Sequence, residues 1–272
     1  DLSIAARISG CVVIIGRTMS VFASTPVQVL PQVLISEVGP RDGLQSVKAV
    51  MPTALKCAWI DALVAAGLRE IEVASFVPQH LLPQMADASA VVRHALGHPD
   101  LVVMALVPNR RGAEAALAAG VHKLTIPVSA SEAHSLANVR KTRQQMVDEV
   151  REIAALRNER APQVRIEAGI STAFGCTLQG VVAEDDVLWL ADQVLAAGAD
   201  ESGLSDTTGM ANPAQVRRLF KRLQAALLKQ PGGDREMVEV LALVLHHDEQ
   251  AVLAAVELAL ESGAASKTHI LN

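Results

Sequence analysis

The most informative segment of the sequence is ISEVGPRDGLQ, residues 35–45. It starts as a short apolar run typical of a strand, and then a glycine turn carries an arginine and an acid. In parallel α/β proteins the residues that do chemistry follow the carboxyl ends of the strands. The segment therefore predicts a parallel sheet with a functional site that begins at Arg41 and Asp42.

Strand-like runs alternate with longer helical patterns from residue 32 onward, which is the order that produces a parallel sheet with crossover helices. The predicted strands are residues 33–38, 70–75, 101–107, 123–127, 164–170 and 200–204. Pro52 and Gly67 mark the ends of the first helix, and Asn212 with Pro213 starts the last one. Six β/α units fit an eight-fold barrel better than a doubly wound sheet, although periodicity alone does not separate the two.

The composition favours a small-molecule enzyme over a nucleic-acid-binding protein. The 272 residues suit one large α/β domain, with a net charge of −5, a pI near 5.9 and 2% aromatic residues. Nucleic-acid grooves instead carry basic surfaces with interleaved aromatic residues. The three cysteines are an odd number at wide spacing, which supports neither a disulfide framework nor a zinc knuckle and fits a reducing cytoplasm.

Three segments are predicted, with bounds set by the family resemblance given below: a leader at residues 1–30, a β/α barrel at 31–228, and a mainly helical tail at 229–272. The leader is predicted to be disordered, and its apolar run at 11–15 is too short to span a membrane. Met19 is interpreted as the start of the protein, with an organelle transit peptide as the alternative.

Further motifs along the predicted barrel carry a family resemblance. They are VGPRDGLQ at 38–45, SFV at 75–77, PQMAD at 83–87, VPN at 107–109, SASE at 129–132 and SDTTG at 205–209. In this collinear order the chain resembles 3-hydroxy-3-methylglutaryl-CoA (HMG-CoA) lyase. The resemblance implies a TIM-type (β/α)8 barrel that uses a divalent cation, Mg²⁺ or Mn²⁺, to split HMG-CoA into acetyl-CoA and acetoacetate by a retro-Claisen cleavage. It implies an acyl-CoA substrate as the partner and allows a homo-oligomer.

Such a cleavage requires a base for the tertiary hydroxyl, a cation for the substrate oxygens, and a positive group beside the thioester oxygen. The resemblance implies that Asp42 is a metal ligand, that Arg41 stabilises the enolate, and that Asp206 lies near the substrate hydroxyl. Glu72 lies inside an apolar run, where an unpaired carboxylate would be costly, so it needs a partner, and Arg41 is the natural one. The alternatives are a surface ion pair for Arg41 with Asp42 and a structural polar network for Glu72.

Three more residues are predicted to bind the substrate: Gln45, Ser75 and Asn138. Ser75, at the end of the second predicted strand, could hydrogen-bond the substrate carboxylate, and Asn138 matches a position near the acyl-CoA in similar enzymes. Serine and asparagine also form turns and cap helices, so a local structural role is the alternative for both.

The sequence departs from the family after residue 228. The His-x-His-Asp strand end, the Gly-Gly-Cys-Pro loop and the Asn ligand are not found, and the tail resembles the C-terminal region of an insertion-sequence transposase. His246 and His247 are adjacent, so they point in different directions and cannot replace an i, i+2 ligand pair. The barrel is therefore predicted to be incomplete, with its open flank covered by a strand at 238–245, by a helix at 249–261 or by a second chain.

Three functions remain open at this point. The first is a metal-dependent carbon–carbon lyase acting on HMG-CoA or a related acyl-CoA such as citramalyl-CoA. The second is an inactive barrel remnant that binds acyl-CoA. The third, a nucleic-acid-binding transposase fragment, rests on the tail alone and disagrees with the acidic composition. The first is the main hypothesis, without a nucleic-acid or membrane partner.

Overall fold

The structure is a computed structural model that describes residues 3–8, 11–15 and 33–227, the first two segments by their backbone alone. The strands are β1 Ser3–Ile8, β2 Cys11–Ile15, β3 Val33–Glu37, β4 Glu70–Ser75, β5 Val102–Leu106, β6 Lys123–Ser129, β7 Arg165–Ser171 and β8 Glu201–Ser205. The α-helices are α1 Thr53–Ala65, α2 Ala88–Ala95, α3 Arg110–Ala119, α4 Glu132–Val139, α5 Arg143–Arg160, α6 Glu184–Ala196 and α7 Pro213–Leu227.

The eight strands follow one another from β1 to β8 around a closed barrel. Neighbouring strands from β3 to β8 pair in parallel, and β1 also pairs with β8 in parallel, with Ser3 opposite Glu201. The six predicted strands and the α/β barrel class are confirmed, with strand ends that differ from the prediction by at most two residues.

The remaining two strands come from the segment that the sequence predicts to be a disordered leader. The expectation of disorder is therefore wrong for residues 3–8 and 11–15. The physical reason is that β8 would otherwise present a row of unpaired backbone groups, which any extended segment can pair. The run CVVII at 11–15 is rich in β-branched residues that suit a strand. The proposed covering elements at 238–245 and 249–261 lie outside the described residues.

The chain divides into two compact units, one of which contains residues 3–14 and 33–210 and therefore the barrel. In the other unit the structure describes α7 and the residues leading into it. The helix α7 starts as predicted, because Asn212 Oδ1 accepts a hydrogen bond from Gln215 N at 3.0 Å. Within the described part of the chain, no helix is long and apolar enough to cross a membrane.

The core of the barrel unit lies between the sheet and the surrounding helices. The strand β4 is buried along its whole length, as is usual for parallel strands covered on both faces. The turn after α6 passes so close to α5 that a Cβ on Gly198, whose φ is +107°, would lie 2.8 Å from Ala154 Cβ. Only glycine fits both this approach and this backbone angle.

A buried ion cluster lies at the amino-terminal ends of the strands. Lys123 Nζ lies 2.7 Å from a carboxylate oxygen of Glu201, 3.0 Å from one of Glu167 and 3.6 Å from one of Glu70. Arg165 adds a second cation at 2.6 Å from Glu201. Burial alone would lower the pKa of Lys123, but the three carboxylates outweigh it and raise that pKa above its ordinary value.

The carboxyl of Glu70 is expected to make stability depend on pH. Burial raises the pKa of Glu70, Lys123 opposes that shift, and Glu167 adds to it. Since the folded chain holds this proton more tightly than the unfolded chain, the contribution is favourable below the ordinary carboxyl pKa of about 4.3 and is lost as pH rises through the raised value. Glu70→Gln should therefore lose less stability between pH 4 and pH 7 than the wild type, as measured by urea unfolding.

Glu152→Gln is the matched control, because Glu152 is exposed on α5. This control should keep the pH profile of the wild type. Identical profiles for Glu70→Gln and the wild type would contradict the assignment of the pH dependence to Glu70.

Candidate active site

A cavity of about 840 Å³ opens at the carboxyl ends of the strands. Its wall takes residues from the segments that follow β3, β4, β5, β6 and β8, and from the end of β7. The lining includes these residues predicted from the sequence: Arg41, Asp42, Gln45, Ser75, Asn138 and Asp206. Glu72, the remaining predicted residue, is fully buried and is not part of the lining.

The tight turn after β3 places the arginine and the acid. Residues Gly39–Gly43 form a single π-helical turn, in which Asp42 N donates to Val38 O at 2.7 Å. A Cβ on Gly39 would lie 2.8 Å from Glu37 Oε1 and 3.3 Å from the Trp59 ring, so a larger residue would displace the Glu37 carboxylate, which accepts from Gly39 N. Such single π-helical turns are frequent at functional sites.

Arg41 is the centre of the polar network at the mouth of the barrel. Its side chain is buried, and its Nε donates to Glu72 Oε2 at 2.6 Å while Nη2 contacts the same oxygen. Nη1 donates to Asp42 Oδ1 at 2.6 Å, and Thr125 Oγ1 donates to the other oxygen of Glu72. The predicted pairing of Arg41 with Glu72 is confirmed, and Glu72 acts on the cavity through Arg41.

The charges in this network do not balance. One guanidinium faces two carboxylates, of which Glu72 is fully buried and Asp42 has half of its side chain exposed. The formal charge of the triad formed by Arg41, Asp42 and Glu72 is therefore −1 when both acids are ionised. A negative triad is a poor place for a developing oxyanion unless another positive charge is present.

The other predicted residues lie around the same cavity. Gln45 Nε2 donates to Asp42 Oδ1 at 3.0 Å, so the Asp42 carboxylate is held by Gln45 as well as by Arg41. Asp206 Oδ1 accepts from Met210 N at 2.9 Å, which orients this carboxylate at the end of β8. Asn138 lies on α4 and lines the cavity. The structure thus brings together acidic and amide side chains from segments that are distant in the sequence.

Ser75 is buried at the cavity wall, and its Oγ has no hydrogen-bond partner among the described residues. An unpaired buried hydroxyl costs roughly 1–3 kcal/mol, so this atom is a candidate contact for a polar group of a ligand. By contrast, Ser135 is equally buried but donates to Lys141 O at 2.7 Å.

Ser75→Ala is expected to leave the free energy of unfolding within about 1 kcal/mol of the wild type, because no hydrogen bond is lost. Binding of an acyl-CoA should weaken about 5- to 10-fold, the amount that one hydrogen bond contributes. Ser135→Ala is the matched control and should show the reverse pattern, with lower stability and unchanged binding. Urea unfolding and calorimetric titration measure the two quantities. An equal loss of stability in both variants would assign Ser75 to the fold instead.

Three residues of this region were not predicted. Thr125 in β6 holds Glu72, and His134 on α4 lines the cavity with Nδ1 at 2.8 Å from Ser129 Oγ. Burial lowers the pKa of His134, which favours the neutral imidazole. Thr172 is buried at a φ of +57°, which is unusual for a β-branched residue and marks local strain. Of these three residues, only His134 lies next to a motif noted in the sequence, SASE at 129–132.

The described residues do not complete a divalent-cation site at the mouth. Asp42 is the one metal ligand that the sequence predicts, and hard cations need several well-placed oxygens. Among the described residues, the one group of three acids or histidines with converging ligand atoms is Asp61, His94 and His98, none of which lines the cavity. The mouth therefore offers the cation a single predicted carboxylate ligand.

The fold and the mouth together define a β/α-barrel enzyme with an arginine–carboxylate site at the carboxyl ends of its strands. The HMGL-like family matches residues 32–267. The hydroxymethylglutaryl-CoA lyase YngG of Bacillus subtilis is 34% identical over 234 residues, which cover 85% of this chain and 74% of the relative. This chain belongs to the HMG-CoA lyase family.

Two further similar proteins agree with this assignment. The 3-hydroxy-3-isohexenylglutaryl-CoA/hydroxy-methylglutaryl-CoA lyase of Pseudomonas aeruginosa is 38% identical over 190 residues, 70% of this chain and 63% of the relative. The solved structure of an HMG-CoA lyase from Acinetobacter baumannii in complex with coenzyme A and 3-methylmalate has a TM-score of 0.66 at 35% identity. The match covers 70% of this chain and 61% of that one. This chain thus spans less than two thirds of the length of either protein.

The family match also bears on the tail. It runs through residue 267 and so includes most of the predicted tail at residues 229–272. The resemblance of this segment to a transposase stays a prediction.

Proposed function

We propose that this chain binds 3-hydroxy-3-methylglutaryl-CoA and cleaves it to acetyl-CoA and acetoacetate. The observation that carries the proposal is the buried Arg41, which Glu72 holds at the wall of a cavity that also contains Ser75, Asn138 and Asp206. Family membership supports the same reaction. This arrangement offers a cation for an oxyanion, a carboxylate for a proton, and neutral groups for the rest of an acyl-CoA.

The proposed chemistry is a retro-Claisen cleavage. The carboxylate of Asp206 accepts the proton of the substrate's tertiary hydroxyl, and the oxygen electrons form the new carbonyl of acetoacetate. The bond between C2 and C3 breaks, and its electron pair moves into the thioester as an enolate. Arg41 stabilises the enolate oxygen, and C2 takes up one proton, equivalent to the proton that Asp206 accepted, which gives the methyl group of acetyl-CoA.

The proposal includes a divalent cation, Mg²⁺ or Mn²⁺, at Asp42. The triad of Arg41, Asp42 and Glu72 alone carries a formal charge of −1. A divalent cation would neutralise the Asp42 carboxylate and leave the charge of Arg41 available to the substrate. Asp42 is the residue that would hold the cation, and Gln45 orients its carboxylate. The proposed setting is the cytoplasm, with acyl-CoA as the partner and a homo-oligomer as the assembly to test.

A second candidate is a barrel that binds acyl-CoA without cleaving it. It is favoured by the single predicted metal ligand at the mouth. The two candidates differ in how ligands change the melting temperature, because a ligand stabilises the folded chain in proportion to its binding. A binding-only barrel would be stabilised by acyl-CoA and unaffected by Mg²⁺ or Mn²⁺.

Incubation of the full chain with HMG-CoA and Mg²⁺ tests the proposed reaction. Acetyl-CoA and acetoacetate are expected in equal amounts, measured by liquid chromatography with mass detection. A folded protein that is stabilised by acyl-CoA but forms neither product would favour the second candidate.

A further inference from the structure

Two histidines and an aspartate meet on the outside of the barrel, away from the residues that line the cavity. Nε2 of His94 lies 2.7 Å from Asp61 Oδ1, and Nε2 of His98 lies 2.8 Å from the same oxygen. Asp61 lies on α1, whereas His94 lies on α2 and His98 in the turn that follows α2. The two imidazole rings are 6.0 Å apart and nearly perpendicular.

The local backbone explains why both rings reach one carboxylate. His94 and His98 are four residues apart at the end of a helix, so they lie on the same face. The chain is still tightly turned there, because Gly97 N donates to His94 O at 2.9 Å and His98 N donates to Ala95 O at 3.1 Å. The two rings therefore hold one carboxylate oxygen between them.

We propose that Asp61, His94 and His98 form a second divalent-metal site that joins α1 to the end of α2. The three ligand atoms lie within 4.8 Å of one another, and a tetrahedral ion about 2.0–2.2 Å from each would hold them about 3.3–3.6 Å apart, so small side-chain shifts suffice. Between 28% and 48% of each side chain is exposed, so the rings can rotate outward by the small distance needed to admit the ion. Three protein ligands leave a fourth position for water.

The chemistry of the ligands decides which metals this site takes. Two imidazoles and one carboxylate suit Zn²⁺, Co²⁺, Ni²⁺ and Cu²⁺, whereas Mg²⁺ prefers oxygen ligands. The proposed catalytic cation at Asp42 is of the second kind. The outer site is therefore distinguished from the mouth by its residues and by its metal preference, and it does not depend on the proposed reaction.

Calorimetric titration of the untagged full-length chain with ZnCl2 tests this site. We expect one Zn²⁺ that is not displaced by millimolar Mg²⁺, and Co²⁺ in its place should give the visible absorption of a four-coordinate complex. Loss of an outer-shell partner weakens metal binding about 10- to 100-fold. His98→Ala and Asp61→Asn each remove a direct ligand, so each should weaken Zn²⁺ binding by at least this factor. His98→Gln keeps the size of the side chain and separates ligand loss from misfolding.

Two control variants make the result specific. His80→Ala removes an exposed histidine outside the cluster, and Asp42→Asn removes the carboxylate at the mouth, and both should bind Zn²⁺ as the wild type does. Binding that is absent from the wild type would overturn the proposal. So would binding that survives in His98→Ala and Asp61→Asn but is lost when His246 and His247 are replaced.

Discussion

Arg41→Met is expected to slow cleavage strongly and to destabilise the fold. The substitution leaves Glu72 fully buried with Thr125 as its remaining hydrogen-bond partner among the described residues, and breaking a buried ion pair on one side costs about 3–5 kcal/mol. Loss of the group that faces the enolate oxygen should lower kcat by a factor on the order of 10² to 10³. Urea unfolding and product formation measure the two effects separately.

The double variant Arg41→Met with Glu72→Gln separates the two roles of Arg41. Removing the charge of Glu72 as well should restore much of the stability, because a buried pair replaced by neutral residues is often tolerated. Turnover should stay low, since the cavity still lacks the guanidinium of Arg41. Equal stability of the single and double variants would contradict the view that Glu72 depends on Arg41.

Lys123→Met is expected to be the most destabilising single change at the amino-terminal end of the barrel. Lys123 is 2% exposed and lies among Glu70, Glu167 and Glu201, each of which is also buried. Without the lysine, Glu201 keeps its contact with Arg165, whereas the ion pairs that Lys123 makes with Glu70 and Glu167 are lost. The expected loss at pH 7 is about 3–5 kcal/mol, and it should shrink at acidic pH as the Glu70 carboxyl, whose pKa burial raises, takes up a proton.

Arg165→Met provides the control for this prediction. Half of the Arg165 side chain is exposed, so its ion pair with Glu201 should contribute no more than about 1 kcal/mol. Urea unfolding at pH 7 and pH 5 compares the two variants. Equal losses of stability, or a loss for Lys123→Met that does not change with pH, would contradict the assigned cluster.

The six barrel strands were predictable because the signal for each is local. Parallel strands buried on both faces give continuous apolar runs, and glycine, proline and capping residues mark the helices between them. The pairing of Arg41 with Glu72 was also predictable, because a carboxylate in such a run requires a cation and only the neighbouring strand end supplied one. Both predictions depend on chemistry that can be read within one or two segments.

The features that were not predicted depend on contacts between segments that are distant in the sequence. Glu70, Lys123 and Glu201 each stand at the start of a strand, where a charged residue is ordinary, and only the barrel brings them together. The strand Ser3–Ile8 has few β-branched residues, and its partner β8 lies almost two hundred residues away. The cluster at Asp61 likewise needs the packing of α1 beside α2.

The proposed lyase activity is tested by release of acetyl-CoA from HMG-CoA, with Mg²⁺ or Mn²⁺ present, in the wild type and in Asp42→Ala. We expect turnover by the wild type that depends on the cation and is lost in the variant, since Asp42 is the proposed ligand at the mouth. Folded wild-type protein that releases no acetyl-CoA would contradict the proposed lyase activity. Turnover that is unchanged in Asp42→Ala would contradict the placement of the cation.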